Sequence, residues 1–462
     1  MLELKMNKRP LRVSIDLTLQ DMLDAMGAKV PPTHPTIKIK GVCLDSRAIE
    51  KGDVFFALRS ARDGHAYISS ALDKGASYIV VDHDTGHPNQ IIVGDTLKAL
   101  QDLALWHRQQ WAGQVLGISG SNGKTTTKEM TRTLFGKNAF STPGTWNNHL
   151  GIPLSLLMLR DHQKVAILEM GISNFGELDG YCSYARPDMG VLTVIGDSHL
   201  MQLKNREGVL KAKSELFYAL PKDGTAIALI DDPFIHTLKN TLEVQTLLVS
   251  ATKREDHIDV RVTQGHDQSK VEVVYGNHTF ECAFKLKGQH NRSNLACALG
   301  LALACKLPAD FVQGRIPLMQ SFEMRMQEVM LPSKATVILD CYNANPTSTL
   351  AGIQAVSDMQ GCKKILLGDM LELGDMSSRL HMDIGQKLYA HGFEQVFLIG
   401  QFAKDYYQGA LLGGIPQDKI LIFQNHSDAS TKIHSHLKPS DILYVKGSRG
   451  MRLERIVEPW TS

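Results

Sequence analysis

The stretch VLGISGSNGKTTTKEM, Val115 to Met130, decides how the rest of the chain is read. It opens as an apolar strand, Val115 to Ile118, turns through Gly120, Ser121, Asn122 and Gly123, and enters a helix at Lys124. Backbone N–H groups of such a turn point inward and cradle phosphate oxygens, and the helix N-terminus adds partial positive charge. Lys124 is placed to reach β- and γ-phosphates, Thr125 to offer a hydroxyl to Mg²⁺, and Thr126 to close the loop. The spacing departs from G-x-x-x-x-G-K-[ST], because Ile118 stands at the first glycine position. An ordinary glycine-rich turn with a solvated lysine is the alternative. A G-x-x-G-K-T-T directly after an apolar strand favours the phosphate of a nucleotide.

Two further apolar runs end in chemistry-bearing residues. VAILEM (165–170) delivers Glu169, and GVLTVIG (190–196) delivers Asp197 and His199. Ligands of open α/β sheets sit beyond the carboxyl ends of the strands, so these residues are expected to converge with Lys124 on one edge. A carboxylate ending a buried strand is costly unless paired or metal-bound. Glu169 therefore reads as a Mg²⁺ ligand or an ion-paired acid. His199 reads as a hydrogen-bonding turn residue or as a less usual Mg²⁺ ligand, with Mn²⁺ able to substitute.

At 462 residues the chain exceeds one core, and two to four domains are expected. A net charge of +2 favours neither nucleic acid nor an anionic membrane. Seven scattered cysteines without a C-x-x-C pair fit a reducing compartment. The start, MLELKMNKRPLRVSI, carries no long apolar segment, and the most apolar run, Leu295 to Leu307, is too short for a bilayer. The expectation is a cytoplasmic enzyme without membrane insertion.

The expected fold class is α/β in three domains. Residues 1–103 form a small α/β domain, 104–315 a central P-loop domain with a mostly parallel sheet, and 316–462 a Rossmann-like domain. Within the first, Asp45-Ser46-Arg47 reads as a turn or an anion site. Residues 243 to 287 read as an antiparallel excursion at the edge of the central sheet. The third domain alternates five strands (TVILD, KILLGD, QVFLIG, ILIFQ, DILYVKG) with helices and lacks its own glycine fingerprint. No kinase H-R-D, hydrolase G-x-S-x-G or zinc H-E-x-x-H pattern is present, which leaves Mg²⁺-assisted phosphoryl chemistry.

The loop Gly120 to Thr126 resembles the nucleotide loop of the Mur ligases, ATP-dependent amide-forming enzymes of peptidoglycan synthesis. The resemblance extends through Asn147-Asn148-x-x-Gly151, Glu169-Met170-Gly171, Ala212-Lys213-Ser214-Glu215 and Gly288-x-His290-Asn291-x-x-Asn294. Asp340-x-Tyr342-Asn343-Ala344-Asn345-Pro346, Leu367 to Gly374 and Lys446-Gly447-Ser448-Arg449 resemble the branch that adds D-alanyl-D-alanine to UDP-N-acetylmuramoyl-tripeptide. The resemblance implies an acyl phosphate made from ATP, catalytic roles for Lys124, Lys213 and His199, and metal contacts from Thr125, Glu169, His199 and a carbamylated Lys213. It implies that Asn294, Arg325, Asp340 and Tyr342 approach the nucleotide. Asn147 and Asn148, with Asp45, Ser46 and Arg47 of a UDP-binding first domain, would meet the UDP-linked substrate, and Asp63-Gly64-His65 resembles a second element of that domain. The enzyme would be a monomer. Three departures stand out: the Asp340 motif reads Leu339-Asp340-Cys341 where the family often has two acids, Arg325 lies in an unusual SFEMRMQ context, and Ser60 replaces a frequent glycine.

Competing readings are a sister ligase adding a single amino acid, a folylpolyglutamate-synthase-like ligase, a P-loop switch and a nucleotide-sugar binding module. The NANP and LGDMLELG motifs argue against the first two.

Overall fold

In the computed structural model, residues 11–28, 36–59, 62–252, 257–267 and 269–461 are described. The start of the chain and Ser60 lie outside them. Three sheets succeed one another along the chain.

The first has five strands in sequence order: β1 (Arg12–Thr18), β2 (Lys38–Cys43), β3 (Asp53–Phe56), β4 (Tyr78–Val81) and β5 (Gln90–Ile92). Only β1 and β2 are antiparallel. The helix Thr96–Gln110 follows, capped by Asp95, whose carboxylate accepts from the Lys98 N–H. Its buried residues Leu100 and Leu103 belong to a core continuous with that of the central sheet.

The central sheet contains β6 (Gln114–Ser119), β7 (Ala139–Ser141), β8 (Val165–Glu169), β9 (Met189–Leu192), β10 (Thr225–Leu229), β11 (Gln245–Ser250), β12 (Val260–Gln264), β13 (Lys270–Tyr275) and β14 (His278–Ala283). Its order is β14-β13-β12-β11-β10-β9-β6-β8-β7. Thus β6 lies between β8 and β9, and the three strands that end in candidate chemistry are neighbours with parallel register. β8 is buried at all five positions because helices cover both faces, so it reads as an unbroken apolar run.

One expectation needs correction. The segment 243–287 is not wholly antiparallel: β11 runs parallel to β10 and β12 parallel to β11, and only β12, β13 and β14 form an antiparallel ladder. Alternating burial in β11 reports a partly solvated face and carries no information on direction. The crossover helix Pro233–Leu238 sets the parallel pairing with β10.

The third sheet comprises β15 (Gln327–Met330), β16 (Thr336–Asp340), β17 (Lys363–Leu367), β18 (Phe393–Ile399), β19 (Ile420–Phe423) and β20 (Ile442–Lys446), ordered β15-β16-β20-β17-β18-β19. The five expected strands are parallel neighbours, and a sixth, β15, joins the edge antiparallel to β16. Successive residues bury into opposite layers: Ile338, Leu367 and Tyr444 on one side, Val337, Leu366 and Val445 on the other.

Candidate active site

The phosphate loop owes its shape to two close approaches. Gly120 has φ +142°, and a Cβ there would lie 2.0 Å from the Thr193 hydroxyl. Gly123 has φ +81°, and a Cβ would lie 2.2 Å from Asn294 Oδ1. Both positions therefore admit only glycine. The helix Lys124–Phe135 starts at the left-handed Gly123, with no side-chain cap on its first N–H groups. Those orphan donors face the cleft, as an anion site requires. The Lys124 ammonium donates to Gly120 O at 2.6 Å and Ser121 O at 3.4 Å. Enclosure lowers its pKa, Glu169 opposes that shift and Arg325 adds to it.

Glu169, 1% exposed, ends β8 beside this loop. Its Oε1 accepts from Asn147 Nδ2 at 2.8 Å, whereas its buried Oε2 has no hydrogen-bond partner among the described residues. Lys213, fully buried on the helix Arg206–Tyr218, presents an ammonium nitrogen that likewise has no partner. Burial, and then the charge of Lys124, drives the Lys213 pKa far below the lysine range, so the free amine is favoured. His199 sits at φ +52° with Nδ1 3.2 Å from Glu372 of the third domain. Burial, with Lys213 and Lys124, lowers its pKa against the pull of Glu372. Lys124, Lys213 and His199 therefore share one electrostatic neighbourhood.

The third domain reaches over the loop. Asn122 and Asn345 exchange amide hydrogen bonds of 3.1 and 2.8 Å. Arg325 donates to the Thr125 hydroxyl at 2.9 Å and lies over the Tyr342 ring at 4.3 Å from its centroid. The Tyr342 hydroxyl donates to Thr145 at 2.8 Å. Asp340 accepts from Lys446 at 2.7 Å and Tyr444 at 2.8 Å. Between the two domains lies a cleft of about 750 Å³. Its walls include Ser121, Asn122, Gly123, Lys124, Thr125, Thr126, Asn147, Glu169, Asn294, Arg325, Asp340 and Tyr342.

Other expected site residues lie off these walls. Gly120 shapes the loop from behind, and His199 and Lys213 stand outside the lining. Asn148 is exposed and caps the helix Gly151–Leu157, accepting from the Leu150 and Gly151 N–H groups at 3.1 and 2.9 Å. Asp45, Ser46 and Arg47 form a short turn in the first domain: the Asp45 carboxylate accepts from the Arg47 backbone at 3.0 Å and its guanidinium at 2.7 Å.

Sequence reading missed Lys128. It is fully buried one turn after Lys124, and its ammonium donates to Thr142 O at 3.0 Å and Gly144 O at 2.6 Å, 3.7 Å from Glu169 Oε2. Its i, i+4 spacing from Lys124 puts both on one helix face, but nothing in the sequence marks that face as buried. Lys128→Met leaves two carbonyls without their donor and removes the ammonium beside Glu129 and Glu169. The expected loss is about 3–5 kcal/mol of stability, read from urea unfolding.

Three family models match successive segments: "Mur ligase family, catalytic domain" over 38–106, "Mur ligase middle domain" over 118–302 and "Mur ligase, glutamate ligase domain" over 324–449. The UDP-N-acetylmuramoyl-tripeptide–D-alanyl-D-alanine ligase of Bacillus subtilis is 33% identical, over 94% of this chain and 95% of the relative. A crystal structure of MurF from Acinetobacter baumannii superposes with TM-score 0.86 at 28% identity, covering 97% of this chain and all of that one. MurF ligase from Thermotoga maritima in complex with ADP gives 0.81 at 26% identity, over 91% and 96% of the two chains.

Proposed function

The chain belongs to the Mur ligase family, and on that premise we infer that it joins D-alanyl-D-alanine to UDP-N-acetylmuramoyl-tripeptide, driven by ATP, in peptidoglycan precursor synthesis. The observation that supports this most is the convergence of Lys124, Glu169 and Arg325, from two domains, on one cleft beside the phosphate loop.

The reaction must replace a carboxylate oxygen, a poor leaving group, by an amine. The terminal carboxylate of the tripeptide attacks the γ-phosphorus, the bond to ADP breaks, and an acyl phosphate forms. The amine of D-alanyl-D-alanine then attacks the acyl carbon, loses a proton, and the C–O bond breaks to release phosphate. Both partners in the first step are anions, so positive charge at the cleft sets the rate. In our reading the loop N–H groups hold the nucleotide phosphates, and Lys124 turns from its own carbonyls to the β- and γ-phosphates. Arg325 adds charge from the third domain, while Asn294, Asp340 and Tyr342 bound the nucleotide. Asn147 holds Glu169 in place.

The donor set fits Mg²⁺. Glu169 offers a buried oxygen that no protein donor satisfies, and Thr125 a hydroxyl beside it in the cleft wall. Burial and the Lys124 charge favour the unprotonated Lys213 amine, the form that adds CO₂ with loss of a proton to give a carbamate. Thr125 and Glu169 would hold one Mg²⁺, His199 would touch a second, carbamylated Lys213 would add an anionic ligand, and Mn²⁺ would substitute. Bound there, the ion supplies charge neutralisation of the transferring phosphoryl group. Asp45, Ser46, Arg47, Asn147 and Asn148 are assigned to the UDP-linked substrate, and the working form to a cytoplasmic monomer. Among the described residues no helix is long and apolar enough to cross a membrane.

Phosphate release over a panel of UDP-linked muramoyl peptides and amine acceptors tests this function. Turnover is expected only with a tripeptide and D-alanyl-D-alanine together. Phosphate release without an acceptor would favour a P-loop switch, and turnover with a single amino acid a sister ligase.

A further inference from the structure

The first domain carries a cluster of donors that lies outside the interdomain cleft. His65 lies in the turn Gly64–Tyr67, after β3, and Asp82 and His83 directly follow β4. One ligand atom from each lies within 4.8 Å of the others. The His65 Nδ1 is 2.6 Å from the Asp63 carboxylate, which fixes the proton on that nitrogen. The Asp82 backbone N–H points at His65 Nε2 at 3.4 Å, so Nε2 presents its lone pair. Asp82 Oδ1 lies 3.3 Å from the same nitrogen. Asp82 Oδ1 also accepts from Arg59 Nη2 at 3.1 Å and from His83 Nδ1.

We propose that His65 Nε2, Asp82 Oδ1 and His83 Nδ1 form a site for a divalent transition ion of the Zn²⁺ class. Metal–ligand bonds of about 2.0–2.1 Å give a tetrahedron with an edge of about 3.3 Å, the separation already present between His65 and Asp82. The His83 Nδ1 now hydrogen-bonds Asp82 Oδ1 at 2.5 Å. It must move out by less than about 1 Å, and its side chain is 52% exposed and free to do so. The shared proton leaves as the metal enters. Arg59, donating from Nε to Asp82 Oδ2 and from Nη2 to Oδ1, keeps that carboxylate oriented, and Asp63 does the same for His65. Water completes the fourth position on the solvent side. The ion would tie the end of β4 to the turn after β3 and stiffen the first domain. This site is separate from the interdomain cleft, and its test does not depend on ligase turnover.

The test uses the full chain with Co²⁺ as probe and millimolar Mg²⁺ present to fill hard-oxygen sites. Wild type is expected to bind one Co²⁺ with the visible absorption of a tetrahedral centre, displaced by Zn²⁺. His83→Ala and Asp63→Asn, which act on different atoms, should each weaken binding about tenfold or more, with unchanged melting in metal-free buffer as the fold control. Equal Co²⁺ affinity in wild type and both variants, or only the faint spectrum of an octahedral ion, would overturn the proposal.

Discussion

Lys124→Ala is expected to lower turnover by roughly 10²–10³-fold while leaving the fold in place. The side chain closes on Gly120 O and Ser121 O, bonds that are not the frame of the loop. The frame is made elsewhere: Thr193 donates to Asn122 O, Ser121 accepts from the Gly196 N–H at 3.0 Å, and Gly120 and Gly123 hold their positive φ. Removing the lysine therefore costs less than about 2 kcal/mol of stability. What it removes is the cation nearest the phosphates at a point where two anions must meet. Steady-state phosphate release beside urea unfolding separates the effects. A rate near wild type would contradict the assigned site, whereas a collapse of both would mean that the lysine holds the loop together.

Lys213→Met is expected to move stability and activity in opposite directions. The amine is fully buried without a partner, so an apolar side chain of similar length should stabilise the metal-free protein by about 1–3 kcal/mol. Turnover should fall by roughly 10²-fold or more, because no carbamate can form. The sign of the pH dependence follows from the depressed pKa. The unfolded chain takes up a proton at this residue below about pH 10.4, and the folded chain does not until far lower pH. Wild-type stability in CO₂-free buffer is therefore greatest above that value and declines as pH falls toward the folded pKa. In Lys213→Met this contribution to the slope is absent. An equal slope in both proteins would show that Lys213 stays charged. Destabilisation by methionine would point to a structural role. Such opposed effects are what a site that sacrifices stability for function produces.

Much of this architecture was legible. The run of apolar strands, each ending in a polar residue, gave the parallel core and the edge on which Lys124 and Glu169 meet. Chain direction at β11 and β12 was hidden, because alternation reports which faces are wet and is silent on pairing. The edge strand β15 was missed because QEVM is short and half-exposed. Lys128 was hidden for a different reason. A lysine on a helix is normally solvated, and only the fold shows the carbonyls of Thr142 and Gly144 folded back over it. Asn345 was visible as part of a motif, yet its pairing with Asn122 spans 223 residues, and no local pattern encodes a contact of that range.

The central claim is that ATP is used to build an acyl phosphate on the tripeptide, and oxygen tracing tests it most directly. With ¹⁸O in the terminal carboxylate of UDP-N-acetylmuramoyl-tripeptide, each turnover should transfer one labelled oxygen to inorganic phosphate and leave the other in the new amide. Phosphate free of ¹⁸O, with amide formed at the normal rate, would contradict the account.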